Sequence, residues 1–204
     1  PEEIKKTLKL ANPNILLIME FTDDLKECLG PVLFKYKHQM ITPVRDGFSI
    51  ALFSKTPLEK KHISFHGPND TPLLQAQTII NKKKFHIFSA HPRPALNAQW
   101  FSERQIYFEE ISSLIANIKG PTIVLGDFNS VPWENHFKAF LSKTNLKSTM
   151  ENQGYKITWP TFFPVVGVPM DHILFSKDVQ FHNLHVGPYS GSDHYPISIN
   201  INHN

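Results

Sequence analysis

Five polar clusters sit where apolar runs begin or end: Glu20 closing "ILLIME", His91 closing "FHIFSAH", Asp127 and Asn129 in "GDFNS", Asp171 opening "DHILFS", and Asp193 with His194 in "GSDHYP". Together they offer carboxylates, imidazoles and an amide. A hard cation such as Mg²⁺ takes oxygen ligands and needs only one or two protein carboxylates, keeping several waters. Glu20 and Asp193 could supply them. An imidazole stabilises or protonates a developing oxyanion, and an Asp can hold and polarise that imidazole. An Asp beside an amide can align and deprotonate an attacking water. The chemistry within reach is metal-assisted attack of water on a phosphate ester.

Taken singly, each residue also has a plainer reading. A Glu after a strand is an ordinary solvated turn residue. Gly, Asp and Asn all favour turns, so "GDFN" alone is a turn, and so is "SDH". Asp171 could simply begin a strand, and His91, followed by Pro92, could be a half-buried packing residue. Arg93, two residues beyond His91, is a candidate phosphate contact. His62, His66, His86, His136, His182 and His185 read as surface or packing residues. No HxH or HExxH pattern is present, which disfavours zinc.

To bring such clusters together the chain needs strands that end side by side. Its 204 residues, 41% of them hydrophobic, suffice for one domain with a substantial core. The net charge of +3 is far from that of a dedicated nucleic-acid binder. Cys28 is alone, which excludes a disulfide framework. "ILLIM" is much too short to span a bilayer.

Helical spacing is expected over 2–11, a short helix after the N-cap Thr22, and a clear helix over 99–118 with Ile106, Ile111, Leu114, Ile115 and Ile118 facing the core. A further helix is expected over 134–144. Strands are expected at 15–19, 31–37, 48–54, 62–66, 73–80, 84–91, 122–127, 170–176, 179–187 and 195–201. "NKKK" at 81–84 reads as a polar hairpin tip, with a phosphate-contacting patch as the alternative. Trp133 and Trp159, each beside a proline, read as loop anchors packing on the core, with a nucleic-acid groove shared with Arg93, Trp100 and Arg104 as the alternative. This order predicts α/β layers with extensive antiparallel pairing rather than a doubly wound nucleotide fold.

The ordered set "IME", "SAHP", "GDFN", "MDHILFS", "GSDHYP" resembles the endonuclease/exonuclease/phosphatase superfamily, from about residue 14 to 201. The resemblance implies a four-layer α/β sandwich, two face-to-face and mostly antiparallel sheets flanked by helices, in a single catalytic domain over 1–204. It implies a Mg²⁺-dependent phosphoesterase, with Mn²⁺ expected to substitute. Glu20 and Asp193 would be metal ligands, and His91 would contact the scissile phosphate. Asp127 and Asn129 would position water and phosphate, and Asp171 would pair with the catalytic His194. Members usually begin with a strand carrying an Asn of the metal site. Here that first strand is expected to be absent, the chain N-terminally truncated, and neither Asn12 nor Asn14 takes the role.

The loops at 90–105, 126–137 and 158–160 are similar to a bacterial branch whose catalytic domains lie outside the cytoplasm behind membrane-spanning helices. A membrane anchor beyond this sequence is the corresponding expectation. The phosphoester could be a small molecule, lipid-linked, or a nucleic acid nicked by a nuclease. A non-catalytic binding module on the same fold is the third alternative. No obligate protein partner is evident.

Overall fold

The computed structural model describes residues 2–43, 47–151 and 153–202. Period-two alternation along its strands sorts their apolar side chains into three cores, and three stacked cores need four layers to enclose them. One layer is a six-stranded sheet of β4 (Glu59–His66), β5 (Thr71–Ile80), β6 (Lys83–Ala90), β7 (Thr122–Asp127), β8 (Lys147–Ser148) and β9 (Asp171–Phe175), in the order β4-β5-β6-β7-β9-β8. Facing it are a three-stranded sheet, β1 (Ile15–Met19), β3 (Ile50–Ser54) and β2 (His38–Ile41) in that order, and a pair, β10 (Phe181–Val186) and β11 (Ile197–Ile201). The sandwich is thus present with its second layer in two parts.

Helices α1 (Glu2–Ala11) and α2 (Asp23–Leu33) cover the three-stranded sheet, where Leu8, Leu29, Val32 and Leu33 meet Ala51 and Phe53. Helices α3 (Ala98–Ala116) and α4 (Asn135–Thr144) cover the six-stranded sheet, where Phe108, Ile111, Phe137 and Phe140 meet Phe88, Val124 and Leu174. Between the sheets Ile50 and Leu52 oppose Leu74, Ile87, Ile123 and Ile173. β1 packs over β7 and β11 over β9. Their inward residues Ile15, Leu17, Met19, Ile197, Ile199 and Ile201 are partly buried. Among the described residues β1 pairs with β3 alone and β11 with β10 alone.

Among the described residues, all pairings are antiparallel except β6–β7, which needs the crossover through α3. No helix among the described residues is long and apolar enough to cross a membrane.

Three local expectations are corrected. Residues 31–37 are not a strand, because α2 continues through Gly30 and Pro31 to Leu33. Burial of Leu29, Val32 and Leu33 against the sheet outweighs the breakers there. The core face of α3 is Tyr107, Phe108, Ile111 and Ile115, whereas Ile106 and Leu114 are exposed. Trp133 is exposed and meets Tyr155 edge-on at 5.5 Å instead of anchoring in the core. Thr22 caps α2 as expected, accepting the Leu25 N–H at 3.2 Å. The hairpin tip after β5 is a turn in which Asn81 and Lys82 take left-handed backbone, at φ 50° and 65°.

Candidate active site

Strand direction gathers the polar clusters at one edge. β6 and β7 are parallel, so Ala90–His91 and Gly126–Asp127 leave the sheet on the same side. β9 runs back along β7, and its first residue, Asp171, is the register partner of Asp127. Two carboxylates directly opposite one another repel.

His194 resolves that conflict. Its Nδ1–H donates to Asp171 Oδ2 at 2.8 Å, and its Nε2 lies 3.8 Å from Asp127 Oδ2. Burial alone would lower the imidazole pKa. The hydrogen bond to Asp171 and the charges of Asp171, Asp127 and Asp193 overcome it and push the pKa up to about 9. Burial pushes the Asp171 carboxyl up as well, against the pull of His194. Both shifts mean that the pair holds its proton tightly.

Asp127 is the hub. Its Oδ1 accepts the Asn129 N–H at 2.8 Å, leaving Oδ2 between two imidazoles, with His91 Nε2 at 3.7 Å. Asn129 makes this turn possible by adopting left-handed backbone (φ 48°) that Asn tolerates, and its Nδ2 donates to Pro92 O at 2.9 Å. It thereby ties the Asp127 loop to the segment bearing His91. Gly126 is required by proximity: a Cβ there would lie 1.9 Å from Ala90 O. His91 is buried, its ring 5.2 Å from Phe48, and its Nδ1 has no hydrogen-bond partner. Arg93 stacks between Phe48 and Trp100, at 5.2 and 5.3 Å from their ring centroids, next to the His91 wall.

A strap over 158–161, which includes the 158–160 loop, locks the two late segments together. Thr158 Oγ1 accepts the N–H groups of Met170 and Asp171 at 2.9 and 3.1 Å, and Thr158 O accepts Tyr195 N–H at 2.7 Å. Trp159 Nε1–H donates to Asp193 Oδ2 at 3.2 Å, and its ring lies 6.4 Å from that of His194. Trp159 therefore serves the site as well as its loop. His172 is a core residue: its Nε2–H donates to Ser130 O at 2.9 Å, its ring packs 4.4 Å from Phe137, and burial lowers its pKa to about 4. Arg104, buried on α3, pairs with Glu134 and donates to Asn129 O, bracing the Asp127 loop from behind.

Glu20 leaves β1 with left-handed backbone, φ 52°, and is exposed, as is Asp193. Among the described residues, the group of acidic and imidazole side chains close enough to share an ion includes neither. One ligand atom each from Asp127, Asp171 and His194 lie within 4.8 Å of one another. Asp127, Asp171 and Asp193 meet one imidazolium, so negative charge is in surplus. A divalent cation with oxygen-ligand preference fits that donor set.

A model of the endonuclease/exonuclease/phosphatase family matches residues 1–194. Among solved structures, a D. rerio TDP2 humanised by 14 mutations aligns with a TM-score of 0.79 at 17% identity, covering 98% of this chain and 90% of that one. D. rerio TDP2 complexed with single strand DNA product gives 0.77 at 16% identity, covering 98% and 92%. An endonuclease/exonuclease/phosphatase from Beutenbergia cavernae gives 0.77 at 14% identity, covering 98% and 66%. Among curated proteins no match was found. Fold neighbours, family match and the Asp127–His194–Asp171 constellation agree: the chain belongs to the endonuclease/exonuclease/phosphatase family, whose members are metal-dependent phosphoester hydrolases.

Proposed function

We propose that the chain hydrolyses a phosphate ester by in-line attack of water, with Mg²⁺ as its metal and Mn²⁺ as a substitute. The observation that carries this reading is Asp127 Oδ2 set 3.7 Å from His91 Nε2 and 3.8 Å from His194 Nε2. An anionic acceptor between two imidazole nitrogens leaves space for a polar group to bridge them.

Asp127 takes the water's proton and orients the oxygen for attack; as the new P–O bond forms, the ester P–O bond opposite it breaks and the departing alkoxide takes a proton from solvent. Asn129 acts as a positioning residue, holding the other oxygen of Asp127. His194, kept protonated by Asp171, donates to the non-bridging phosphoryl oxygen as charge accumulates on it. His91 contacts the phosphate from the opposite wall, with Arg93 stacked behind it. Glu20 and Asp193 would hold the metal, which when bound supplies Lewis-acid polarisation of the phosphoryl group.

A second reading, a nuclease, draws on the single strand DNA product held by the D. rerio fold neighbour and on the exposed Trp133–Tyr155 pair. The test is Mg²⁺-dependent turnover of a soluble aryl phosphodiester alongside nicking of supercoiled plasmid. EDTA and His194→Ala serve as controls. Turnover of either substrate, lost in both controls, is expected. Metal binding without turnover of any phosphoester would favour the non-catalytic module.

A further inference from the structure

The segment from Ile157 to Met170, "ITWPTFFPVVGVPM", has no Asp, Glu, Lys, Arg or His in 14 residues. It folds as a closed projection. Trp159 and Val168 form a bridge at its base, with Val168 N–H donating to Trp159 O at 2.7 Å. A 3₁₀ turn over Pro164–Val166 makes its tip. Two backbone bonds close the tip on itself: Val166 N–H donates to Phe163 O and Gly167 N–H donates to Pro164 O, and Pro164 has no N–H to satisfy. Its side chains are turned outward. Phe162, Phe163, Val165 and Val166 are 77%, 53%, 86% and 62% exposed. The projection is anchored to the catalytic rim, because Thr161 N–H donates to Asp193 O at 2.9 Å and its hydroxyl donates to Ser192 O at 2.9 Å.

We infer that this projection is a membrane-docking element that inserts Phe162, Phe163, Val165 and Val166 into the interface of a phospholipid bilayer. Side chains this exposed stand on a convex tip, and a convex tip gives a rigid partner little to clasp. A fluid apolar medium closes around it. Two of the four are valines, which offer no face for base stacking, and the run supplies no cation to meet a nucleic-acid backbone. A contiguous apolar surface without charge is what the interface of a bilayer, where the remaining backbone groups still meet water and headgroups, accepts. Docking stands on the loop alone. That the bilayer also presents the phosphoester to Asp127 and His194 rests on the hydrolase reading above.

The experiment is co-flotation with vesicles of pure phosphatidylcholine and of phosphatidylcholine mixed with phosphatidylglycerol, at low and high salt. The unmodified chain is expected to float with both, with little effect of salt. Phe162→Ser combined with Val165→Ser should weaken partitioning by about 100-fold, roughly tenfold for each buried apolar side chain withdrawn. Turnover of a soluble phosphodiester should be unchanged in that variant. Val165→Trp should strengthen partitioning. His194→Ala should float as the unmodified chain does, so failure of the catalytic reading leaves docking measurable. Absence of flotation would overturn the inference. So would binding confined to anionic vesicles and abolished by salt, or a double variant that loses retention of a single-stranded oligonucleotide while vesicle binding persists.

Discussion

His194 Nδ1 lies 2.8 Å from Asp171 Oδ2, and that contact joins the turn before β11 to the first residue of β9, 23 positions earlier in the chain. It fixes the ring so that Nε2 faces Asp127, and it holds the imidazolium form well into the alkaline range. His194→Ala should lower kcat by about 10³-fold, and it should also lower the melting temperature, because it leaves Asp127 and Asp171 opposed without their imidazolium. Full activity in that variant would refute the assignment.

The same contact sets a pH dependence. The folded-state pKa of His194 is raised from 6.5 to about 9, so activity that needs the imidazolium is present at neutral pH and lost as pH rises through about 9. The stability it contributes follows the same sign, complete below the unfolded pKa and gone above the folded one. Asp171→Asn should move the basic limb of the kcat profile down toward neutral pH. A profile that stays in place would show that another group titrates there.

Asp127 is held in place by bonds that an amide can also make, since Oδ1 accepts the Asn129 N–H. Asp127→Asn keeps that acceptor and removes the cross-strand repulsion with Asp171. Chemical denaturation should place it within about 1 kcal/mol of the unmodified protein, while kcat falls by about 10²-fold or more. A collapse in stability would recast Asp127 as a structural residue.

At Glu20, function and backbone preference diverge. A left-handed Glu is strained by about 1 kcal/mol, which a glycine would not suffer. Glu20→Gly should therefore melt no lower than the unmodified chain. Both it and Glu20→Gln should weaken Mn²⁺ binding, read by electron paramagnetic resonance, by about tenfold or more. Unaltered Mn²⁺ affinity would remove Glu20 from the metal site.

His172 titrates in the opposite sense to His194. Buried and neutral, its folded pKa is lowered from 6.5 to about 4. Between those values the unfolded chain binds the extra proton, so stability declines as pH falls through that window, by about 3 kcal/mol in all. Urea titrations at neutral and mildly acidic pH should show the decline, and His172→Gln should flatten it. An equal decline in that variant would place the sensitivity elsewhere.

Much of this was readable from residue order, for reasons that differ by element. β7 and β9 are unbroken apolar runs with a polar residue at the catalytic end, and such runs keep their identity in any packing. The segment at 31–37 carried β-branched and aromatic residues after Gly30-Pro31. What decided it was burial against Phe53, which no local pattern encodes. β2 is four residues with little alternation and no strand signature. At the site, Asp127, Asp171 and His194 were visible because their neighbours form motifs. Thr158 and Trp159 were not, because a hydroxyl accepting two backbone N–H groups and an indole donating to Asp193 are products of tertiary proximity. The bracing role of Arg104 was equally hidden, since nothing in α3's sequence says that a guanidinium will lie beneath the Asp127 loop.

The division of the second layer has a mechanical consequence. Asp127 and Asp171 hang from the six-stranded sheet, Glu20 from β1 of the three-stranded sheet, and His194 from the turn leading into β11 of the pair. Asp171 and His194 are tied by hydrogen bonds, through their own contact and the Thr158 strap, whereas among the described residues side-chain packing between the sheets sets how far Glu20 stands from them. Oil-like contacts slide where ladders would shear. The spacing of Glu20 from the other carboxylates can thus adjust as a ligand arrives, while the Asp127–Asp171 distance, written into one register, stays fixed.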